Sequence, residues 1–595
     1  MREFASPRTV DLPRTGSLTD DVVRNEHEAP DHVCFSVRGD DGWTDVTAAA
    51  FAEQVRAVAK GLVAAGLEPG DRVVLCSRTR YEWTLVDYAA WWAGCVTVPV
   101  YETSSTHQLE LLLRDSGARA AVVETDRHRA RVDEAVRGGA RVEKVWTIRD
   151  GGIERLVASG AGVSDEALEE RRAAVRPDTL ATIIYTSGTT GRPRGCMLTH
   201  GAFMAELGQA VEELDELFAG DDAATLLFLP LAHVFARVIQ VGAVRRRVRL
   251  GHSDGVRHLT RDLREFRPTF VLAVPRVFEK VFNAASQQAA IDGHARTFDK
   301  AADTAIAWSR SQDDGGPGRL LRLRHRIYDR TVYARLRETL GGRCAYAVSG
   351  GAPLGERLGH FFRGIGVTVL EGYGLTETTA AITVNRPDAV KIGTVGRPLG
   401  GTTIRVSDEG ELEVSGDQLM TGYWQDPETT TEVLHDGWLC TGDLGEIDDE
   451  GFVRVTGRRK EILVTAGGKN VAPAPLEDHL RAHPLVSQCM VVGDGRPYVG
   501  ALVTLDAEAL RPWADARHKE GTVAALVDDP DLRAAVQEAV DDANRTVSQA
   551  ESIRRFTILP VDWTEEDGQL TPSLKLRRAV VTQQFHREVD ELYGR

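Results

Sequence analysis

"LATIIYTSGTTGRPRG", residues 180–195, is an apolar run followed by a loop rich in glycine and hydroxyl-bearing side chains. The run is typical of a buried strand, and ligands of open α/β sheets gather beyond the carboxyl ends of such strands. Gly188, Gly191 and Gly195 let the backbone approach a ligand closely, and the hydroxyl groups add donors that suit phosphate oxygens. The stretch therefore predicts a phosphate-binding loop, although its spacing is not that of the P-loop. A flexible Ser/Thr/Gly linker is the alternative.

Helix and strand patterns alternate on both sides of this loop. Residues 51–66, "FAEQVRAVAKGLVAAG", carry apolar residues at helical spacing, and residues 72–77, "RVVLCS", are typical of a buried strand. Residues 118–125, "ARAAVVET", are a further strand after a helical stretch. This alternation, from about residue 40 to 400, predicts an α/β fold whose parallel sheets are covered by helices on both faces.

The pattern changes near residue 400. Residues 402–416, "TTIRVSDEGELEVSG", and 444–457, "LGEIDDEGFVRVTG", read as short strands around Asp/Glu-Gly turns. They predict an antiparallel, barrel-like β subdomain at about 395–457, within a large domain that spans 1–457. The charged residues 458–461 are a candidate hinge, and residues 462–595 are long enough for a small α+β domain.

Composition restricts the class of protein. The chain has 595 residues and a formal net charge of −16, which argues against nucleic acid as a general partner. Its seven cysteines are scattered and form no CxxC pair, as expected for free thiols in a reducing cytoplasm. Residues 1–16, "MREFASPRTVDLPRTG", contain no apolar run, so no signal peptide is expected there. The most membrane-like run, 83–100, contains Asp87 and Gly94, so a buried helix and a buried strand are expected there.

Residues 319–343, "RLLRLRHRIYDRTVYARLRETLGGR", predict a basic amphipathic helix. Leu320, Leu323, Ile327 and Ala334 share one helical stripe, and arginines occupy many other positions. We expect this helix to pack on its own domain. Contact with an anionic membrane surface, as a transient peripheral association, is the alternative.

Six motifs in order, over about 390 residues, resemble the adenylate-forming (AMP-binding) superfamily, which includes acyl-CoA synthetases, luciferases and peptide-synthetase adenylation domains. They are the loop above, "LPLAHVFAR" (229–237), "VSGGAPL" (348–354) with "EGYGLTETT" (371–379), "TGDLG" (441–445), "GRRKEILVTAGGKNVAP" (457–473) and "GQLTPSLKLRR" (568–578). The family usually has Lys where this chain has Arg194, and commonly Gly where it has Leu574. "VPRVFEKVF" (274–282) and the insert through 340 look most like the bacterial, actinobacterial-type long-chain fatty acyl-CoA ligases. The resemblance implies a large N-terminal domain of stacked α/β sheets and a small mobile C-terminal domain.

The resemblance also implies a role for individual residues. The catalytic candidates are Lys575, Thr376, Glu377 and His233, and Thr189 and Glu377 would bind Mg²⁺. The nucleotide-binding candidates are Thr186, Ser187, Gly188, Thr189, Thr190, Gly191, Arg194, Gly350, Gly351, Ala352, Glu371, Gly372, Tyr373, Gly374, Thr376, Asp443, Arg458 and Lys575. Arg459 and Lys460 would form the hinge, and Gly467, Gly468 and Lys469 would face coenzyme A. Arg237 falls near the expected mouth of the acyl tunnel, where it would either steer a carboxylate or brace a surface.

The activity implied is that of a long-chain fatty acid–CoA ligase. ATP and a fatty acid give an acyl-adenylate and pyrophosphate, and the acyl group then passes to coenzyme A with release of AMP. One alternative is an acyl-AMP ligase that uses an acyl-carrier protein, and another is an enzyme that activates a non-fatty acid. A nucleotide-binding regulatory protein without turnover is the alternative from a different class, but it would not need Lys575 or Glu377.

Overall fold

The computed structural model describes residues 1–39, 42–186, 193–220, 222–253, 255, 258–571 and 575–594. Its helices are α1 (Asp20–Glu28), α2 (Ala48–Ala64), α3 (Tyr81–Trp92), α4 (Thr106–Ser116), α5 (Asp126–Arg137), α6 (Gly152–Ser159), α7 (Asp165–Ala174), α8 (His200–Glu213), α9 (Asp215–Phe218), α10 (Val234–Arg246), α11 (Leu259–Phe266), α12 (Pro275–Ile291), α13 (Ala295–Asp313), α14 (Arg319–Tyr328), α15 (Ala334–Thr339), α16 (Glu356–Gly364), α17 (Pro427–Val433), α18 (Pro473–Arg481), α19 (Ala507–Asp515), α20 (Val523–Leu526), α21 (Pro530–Asn544), α22 (Arg578–Gln584) and α23 (His586–Leu592).

The strands are β1 (Glu3–Ala5), β2 (Val33–Gly39), β3 (Gly42–Thr47), β4 (Arg72–Cys76), β5 (Val96–Val100), β6 (Ala120–Val123), β7 (Lys144–Thr147), β8 (Leu180–Thr186), β9 (Arg194–Thr199), β10 (Ala224–Leu227), β11 (Arg249–His252), β12 (Phe270–Ala273), β13 (Tyr346–Ser349), β14 (Thr368–Leu375), β15 (Ala380–Val384), β16 (Arg397–Pro398), β17 (Thr403–Val406), β18 (Glu411–Ser415), β19 (Gly422–Tyr423), β20 (Leu434–His435), β21 (Trp438–Ile447), β22 (Val453–Arg458), β23 (Leu463–Val464), β24 (Asn470–Val471), β25 (Val486–Val492), β26 (Val499–Leu505) and β27 (Ile553–Ile558).

Two large mixed sheets form the N-terminal part, which confirms the α/β prediction. The nine-stranded sheet has the order β16-β15-β14-β13-β12-β10-β11-β2-β3, and the seven-stranded sheet has the order β19-β9-β8-β5-β4-β6-β7. The central pairings of both are parallel, and antiparallel strands lie at the edges. Parallel strands need crossover helices, which cover their faces and exclude water from both sides.

A continuous apolar core joins the two sheets, with α3 inside it. All residues of α3 except Glu82 are buried, and Trp83, Trp91 and Trp92 are among the largest fully buried side chains. A helix that is apolar on every side is stable only when it is surrounded by protein or lipid. The predicted buried helix and buried strand at 83–100 are therefore confirmed as α3 and β5. Within the residues described, we find no helix with the length and apolar character needed to cross a bilayer.

The later part of the chain forms smaller sheets. β1, β17, β18, β20, β21 and β22 make a six-stranded antiparallel sheet, as the Asp/Glu-Gly turns predict. β25, β26 and β27 form a three-stranded sheet in the smaller C-terminal domain, which has its own apolar core. Arg276 of α12 donates to the Ser487 hydroxyl at 3.4 Å, so the large part contacts the C-terminal domain directly. The proposed boundaries at 457 and 462 stay predictions.

The predicted basic helix is present, but a π-helical turn divides it. It is α14, a π-helical turn at Asp329–Tyr333, and α15, and no residue of α14 is buried. Leu320, Leu323 and Ile327 face solvent, because α14 packs through its other side. The helix packs on its own domain, as expected, through the side that carries His325, and the apolar stripe is left facing solvent.

Candidate active site

A cleft of about 3420 Å³ lies between the large part of the chain and the C-terminal domain. It is lined by most of the residues that the sequence motifs single out. These are Thr186, Arg194, His233, Gly350, Gly351, Ala352, Glu371, Gly372, Tyr373, Gly374, Thr376, Glu377, Asp443, Arg458, Arg459, Lys460 and Lys575. Of the remaining candidates, Ser187, Gly188, Thr189, Thr190 and Gly191 lie outside the described residues. The ends of their loop are adjacent, because Thr186 and Arg194 are register partners in the β8–β9 pair.

Lys575 enters the cleft from the C-terminal domain. Two hydrogen bonds join Lys575 to Thr571. The Thr571 amide donates to the Lys575 carbonyl at 2.8 Å, and the Lys575 amide donates to the Thr571 hydroxyl at 3.0 Å. A Cβ added at Gly351 would lie 3.9 Å from Cε of Lys575, so the lysine lies over that glycine. Surrounding protein and the Arg458 guanidinium lower the pKa of Lys575, while the Asp443 and Glu377 carboxylates oppose the shift.

Asp443 is a buried carboxylate with a partner on each oxygen. Tyr373 donates its hydroxyl to Oδ2 at 2.7 Å, and Nε of Arg458 lies 3.0 Å from Oδ1. Asp443 and Arg458 face each other across the β21–β22 pair, so the sheet register fixes this ion pair. Each carboxylate oxygen accepts more than one hydrogen bond, and acceptor capacity toward the cleft therefore remains.

Glu377 lies in a tight 3₁₀ turn, Thr376–Thr378, between β14 and β15. The Leu375 amide donates to the Thr378 hydroxyl at 2.8 Å, and the Tyr423 hydroxyl donates to Oε1 of Glu377 at 2.8 Å. The two residues that follow the turn, Thr379 and Ala380, have φ values of +54° and +94°, conformations that a non-glycine residue adopts only when its surroundings impose them. The chain therefore holds the Glu377 carboxylate in place at a local conformational cost.

His233 caps the N-terminus of α10. Its Nδ1 accepts a hydrogen bond from the Phe235 amide at 3.2 Å, so the ring proton lies on Nε2. Burial lowers the pKa of His233 to about 3, and the nearby Lys575 ammonium adds to the effect. His233 is consequently a neutral hydrogen-bond donor at the cleft, close to Lys575.

The glycine-rich segment after β13 forms the floor opposite Lys575. Glu371 at the end of β14 is buried and accepts from the Leu354 amide at 2.9 Å, and burial raises its pKa to about 7. It therefore anchors the 350–354 loop. A Cβ at Gly374 would lie 1.6 Å from the Ala380 carbonyl oxygen, so this position admits no side chain.

The predicted hinge and coenzyme A residues lie in different places. Arg459 borders the cleft, and its Nη1 lies 2.6 Å from Oε2 of Glu411. Gly467, Gly468 and Lys469 belong to the turn between β23 and β24, which does not line the cleft. Nζ of Lys469 lies 3.5 Å from Glu551. The structure thus brings the hinge candidates to the site, and it does not bring the coenzyme A candidates there.

An apolar branch opens from the cleft between α8, α10 and β12. Its lining includes Leu207, Ala210, Val211, Leu214, Leu217, Phe218, Val238, Ile239, Ala243, Phe270 and Leu272. Arg237, in contrast, is fully buried, does not line the cleft and is ion-paired to Asp87 at 2.6 Å, so it does not lie at a tunnel mouth and steers no substrate carboxylate. The branch could not be traced from sequence, because its walls come from distant segments.

Glu206 is an acidic residue in the wall of this apolar branch. It is 2% exposed, its Oε1 accepts from the Ala381 amide at 3.2 Å, and Oε2 has no hydrogen-bond partner among the described residues. Burial raises the pKa of Glu206 well above its usual value, so the fold favours its protonated form.

Glu206→Gln is expected to stabilise the protein increasingly as the pH rises from 5 to 8. In the wild type the folded state keeps a proton that the unfolded state loses above its ordinary pKa, so wild-type stability falls as pH rises. The glutamine variant avoids this loss, which amounts to at most about 1.4 kcal/mol per pH unit. Thermal unfolding of both proteins across this pH range measures the difference. A difference in Tm that does not change with pH would show that Glu206 is ionised in the fold.

Three residues with clear roles in the site escaped sequence reasoning. Tyr423, in the two-residue strand β19, has no periodic signal around it. Glu411 accepts from the Gly442 amide at 2.8 Å and pairs with Arg459, but only the β18–β21 pairing brings it there. Glu206 could have been identified from sequence as a buried acid. It stands three residues after Phe203 and four before Ala210, which places it on the inward face of α8.

Comparison of the chain with protein families and with known proteins identifies relatives that match over its whole length. The AMP-binding enzyme family model matches residues 22–424, and the AMP-binding enzyme C-terminal domain model matches residues 460–595. The chain is 48% identical over 600 residues to the long-chain-fatty-acid--CoA ligase FadD15 of Mycobacterium bovis, covering 100% of both chains. It is 28% identical to the long-chain-fatty-acid--CoA ligase ACSBG2 of Xenopus laevis, covering 95% of this chain and 82% of that one.

Solved structures show the same fold. The adenylation domain of a carboxylate reductase from Mycobacterium chelonae matches with a TM-score of 0.74 and 22% identity, covering 97% of this chain and 91% of that one. The anthranilate CoA ligase AuaEII, in complex with anthranoyl-AMP, matches with a TM-score of 0.73 and 18% identity, covering 96% and 98%. The family models and the full-length relative together show that this chain belongs to the AMP-binding enzyme family.

Proposed function

We propose that this chain is an ATP-dependent long-chain fatty acid–CoA ligase. It joins the carboxylate of a fatty acid to the α-phosphate of ATP with release of pyrophosphate, and then transfers the acyl group to coenzyme A with release of AMP. The observation that carries the proposal is the position of Lys575, which shares one cleft with Glu377 and Asp443 beside an apolar branch.

The first step joins two anions, so the site must supply positive charge. Lys575 and Arg458 supply it from the C-terminal side of the cleft, and Arg194 borders the cleft at the end of the glycine-rich loop. An ammonium held among protein groups stabilises the charge that develops on the carboxylate and phosphate oxygens during attack. His233, neutral and donating from Nε2, suits the carboxylate end of the acid.

Glu377 fits a role in holding Mg²⁺. Its Oε1 accepts from Tyr423, which orients the carboxylate and leaves Oε2 for a cation. Mg²⁺ is commonly held by one or two carboxylates together with substrate phosphates and water, so a single acidic side chain is enough. When bound, the ion would neutralise phosphate charge.

The other side of the cleft suits the adenosine part of ATP. Asp443 accepts hydrogen bonds and suits the ribose hydroxyls, and Arg458 and Tyr373 keep it oriented. Gly350, Gly351 and Ala352 present no large side chain to the base.

Transfer to coenzyme A requires Lys575 to leave the site. Arg459 and Lys460 stand where the chain passes into the C-terminal domain, and rotation there would exchange Lys575 for the turn at 467–469. Such gating separates two half-reactions that share one site. The ion pair between Arg459 and Glu411 is one contact that rotation would have to break.

The apolar lining of the branch favours a long acyl chain. Each methylene group that leaves water for an apolar wall contributes about 0.8 kcal/mol, so a long chain gains more than a short one. The full-length relative is a long-chain-fatty-acid--CoA ligase, which supports the same class of acid.

An assay of product formation tests this proposal. We expect AMP to form only when both a fatty acid and coenzyme A are supplied. The purified chain is supplied with Mg-ATP and saturated acids of increasing length, and AMP, pyrophosphate and acyl-CoA are quantified. Turnover is expected to rise with chain length, because the branch is apolar. Transfer to an acyl-carrier protein in preference to coenzyme A would identify an acyl-AMP ligase, and absence of acid-dependent pyrophosphate would overturn the proposal.

A further inference from the structure

Helix α14 carries an apolar stripe that faces solvent. Leu320 is 70% exposed, Leu323 58% and Ile327 53%, which places three of the protein's most exposed large apolar side chains on one helix of ten residues. With 3.6 residues per turn, the three lie within about 60° of one another around the helix axis. Exposed apolar residues scattered singly are ordinary, whereas a contiguous stripe marks an interaction surface.

Arginines flank this stripe. Arg319, Arg326 and Arg330 lie along one border and Arg324 along the other, all of them exposed. Residues 315–328 contain no acidic residue, although the whole chain carries a net charge of −16. A helix with an apolar face bordered by guanidinium groups suits a surface that is apolar inside and anionic at its boundary.

The opposite side of α14 holds the helix firmly on the protein. The His325 ring stacks on Trp308 of α13 with centroids 4.1 Å apart, and His325 Nε2 lies 2.6 Å from the Gly364 carbonyl oxygen. Arg310, on the same helix α13, borders the substrate cleft. The exposed stripe is thus rigidly mounted, one helix away from the cleft.

We propose that the face of α14 formed by Leu320, Leu323 and Ile327 with its bordering arginines docks the protein on an anionic phospholipid bilayer. The apolar side chains enter the boundary between headgroups and acyl chains, and the arginines pair with lipid phosphates. This docking surface goes beyond the proposed function. It would bring the cleft close to a membrane, from which a poorly water-soluble substrate could enter. Its test does not depend on the activity.

Vesicle flotation of the full-length protein, without ATP or fatty acid, measures the docking. The wild type is expected to bind vesicles of mixed phosphatidylcholine and phosphatidylglycerol and to bind pure phosphatidylcholine much more weakly. The triple variant Leu320→Ser, Leu323→Ser, Ile327→Ser is expected to lose tenfold or more in partitioning, roughly as removal of the buried apolar area predicts. Replacing Arg319, Arg326 and Arg330 with Gln is expected to cost about fivefold per arginine on the anionic vesicles.

A matched control changes apolar residues elsewhere on the surface. The double variant Val157→Ser, Val561→Ser removes exposed apolar side chains far along the sequence from α14 and is expected to bind like the wild type. Wild-type protein that does not float with anionic vesicles, or a triple serine variant that floats equally well, would refute the docking surface. A shift from dimer to monomer in the triple variant by sedimentation velocity would assign the face to a second copy of the chain instead.

Discussion

Lys575→Ala is expected to slow formation of the acyl-adenylate by roughly 10²–10³-fold, the loss typical of removing one donor aimed at developing charge. Conversion of a synthetic acyl-adenylate and coenzyme A to acyl-CoA is expected to proceed within a few-fold of the wild-type rate. Pyrophosphate release measures the first half-reaction, and thioester formation from the synthetic adenylate measures the second.

The difference between the two half-reactions follows from where Lys575 lies. Its side chain lies over Gly351 and within electrostatic reach of Glu377 and Asp443, so it can contact the acid and the α-phosphate together. In the second half-reaction the leaving group is already formed, and the attacking thiol needs the space that Lys575 occupies.

Two variants separate this role from general effects. Lys575→Arg keeps the charge but changes its shape, so partial recovery of adenylation is expected. Lys144→Ala removes an exposed lysine from strand β7 and is expected to leave both half-reactions unchanged. Equal losses in both half-reactions for Lys575→Ala would mean that the residue supports the fold or the nucleotide in general, and its proposed role would be abandoned.

The motifs placed most of the site correctly from sequence, because each is a local stretch whose residues stay together when the chain folds. Tyr373 and Asp443, 70 positions apart, were both identified, yet their hydrogen bond was not. That bond depends on how the β21–β22 hairpin packs against β14, which no local pattern encodes. The exposed stripe of α14 shows the same limit, since periodicity identifies a face of a helix and not the direction in which the face points.

Arg237 illustrates the largest discrepancy. Its place in the "LPLAHVFAR" motif suggested a position at a tunnel mouth, but the residue is completely buried. Its partner Asp87 is 150 positions away, and the rings of Trp83 and Trp91 lie 5.4 and 5.3 Å from its guanidinium carbon. An arginine on a largely apolar helix is recognisable as unusual, but the acid that neutralises it cannot be chosen without the fold.

Asp87→Ala is expected to destabilise the protein by about 3–5 kcal/mol, because it leaves the Arg237 charge buried without its counter-ion. Arg237 Nη2 donates to both oxygens of Asp87 at 2.6 and 2.8 Å, and the Gln240 amide donates to Oδ2 at 3.0 Å. The network continues through Thr84 to His252 of β11, while Arg237 also donates to Thr97 of β5. It therefore connects the nine-stranded and seven-stranded sheets, and its loss should lower the Tm of the large domain by several degrees.

Scanning calorimetry of a matched set of variants tests this. Arg545→Ala breaks an exposed ion pair with Asp542, and it is expected to change stability by less than about 0.5 kcal/mol, since such pairs contribute little. The double variant Asp87→Leu, Arg237→Met removes both charges from surroundings that are apolar and aromatic. It is expected to recover most of the stability lost in Asp87→Ala. If Asp87→Ala unfolds at the wild-type temperature, the ion pair between Asp87 and Arg237 contributes nothing measurable to stability, and this expectation is refuted.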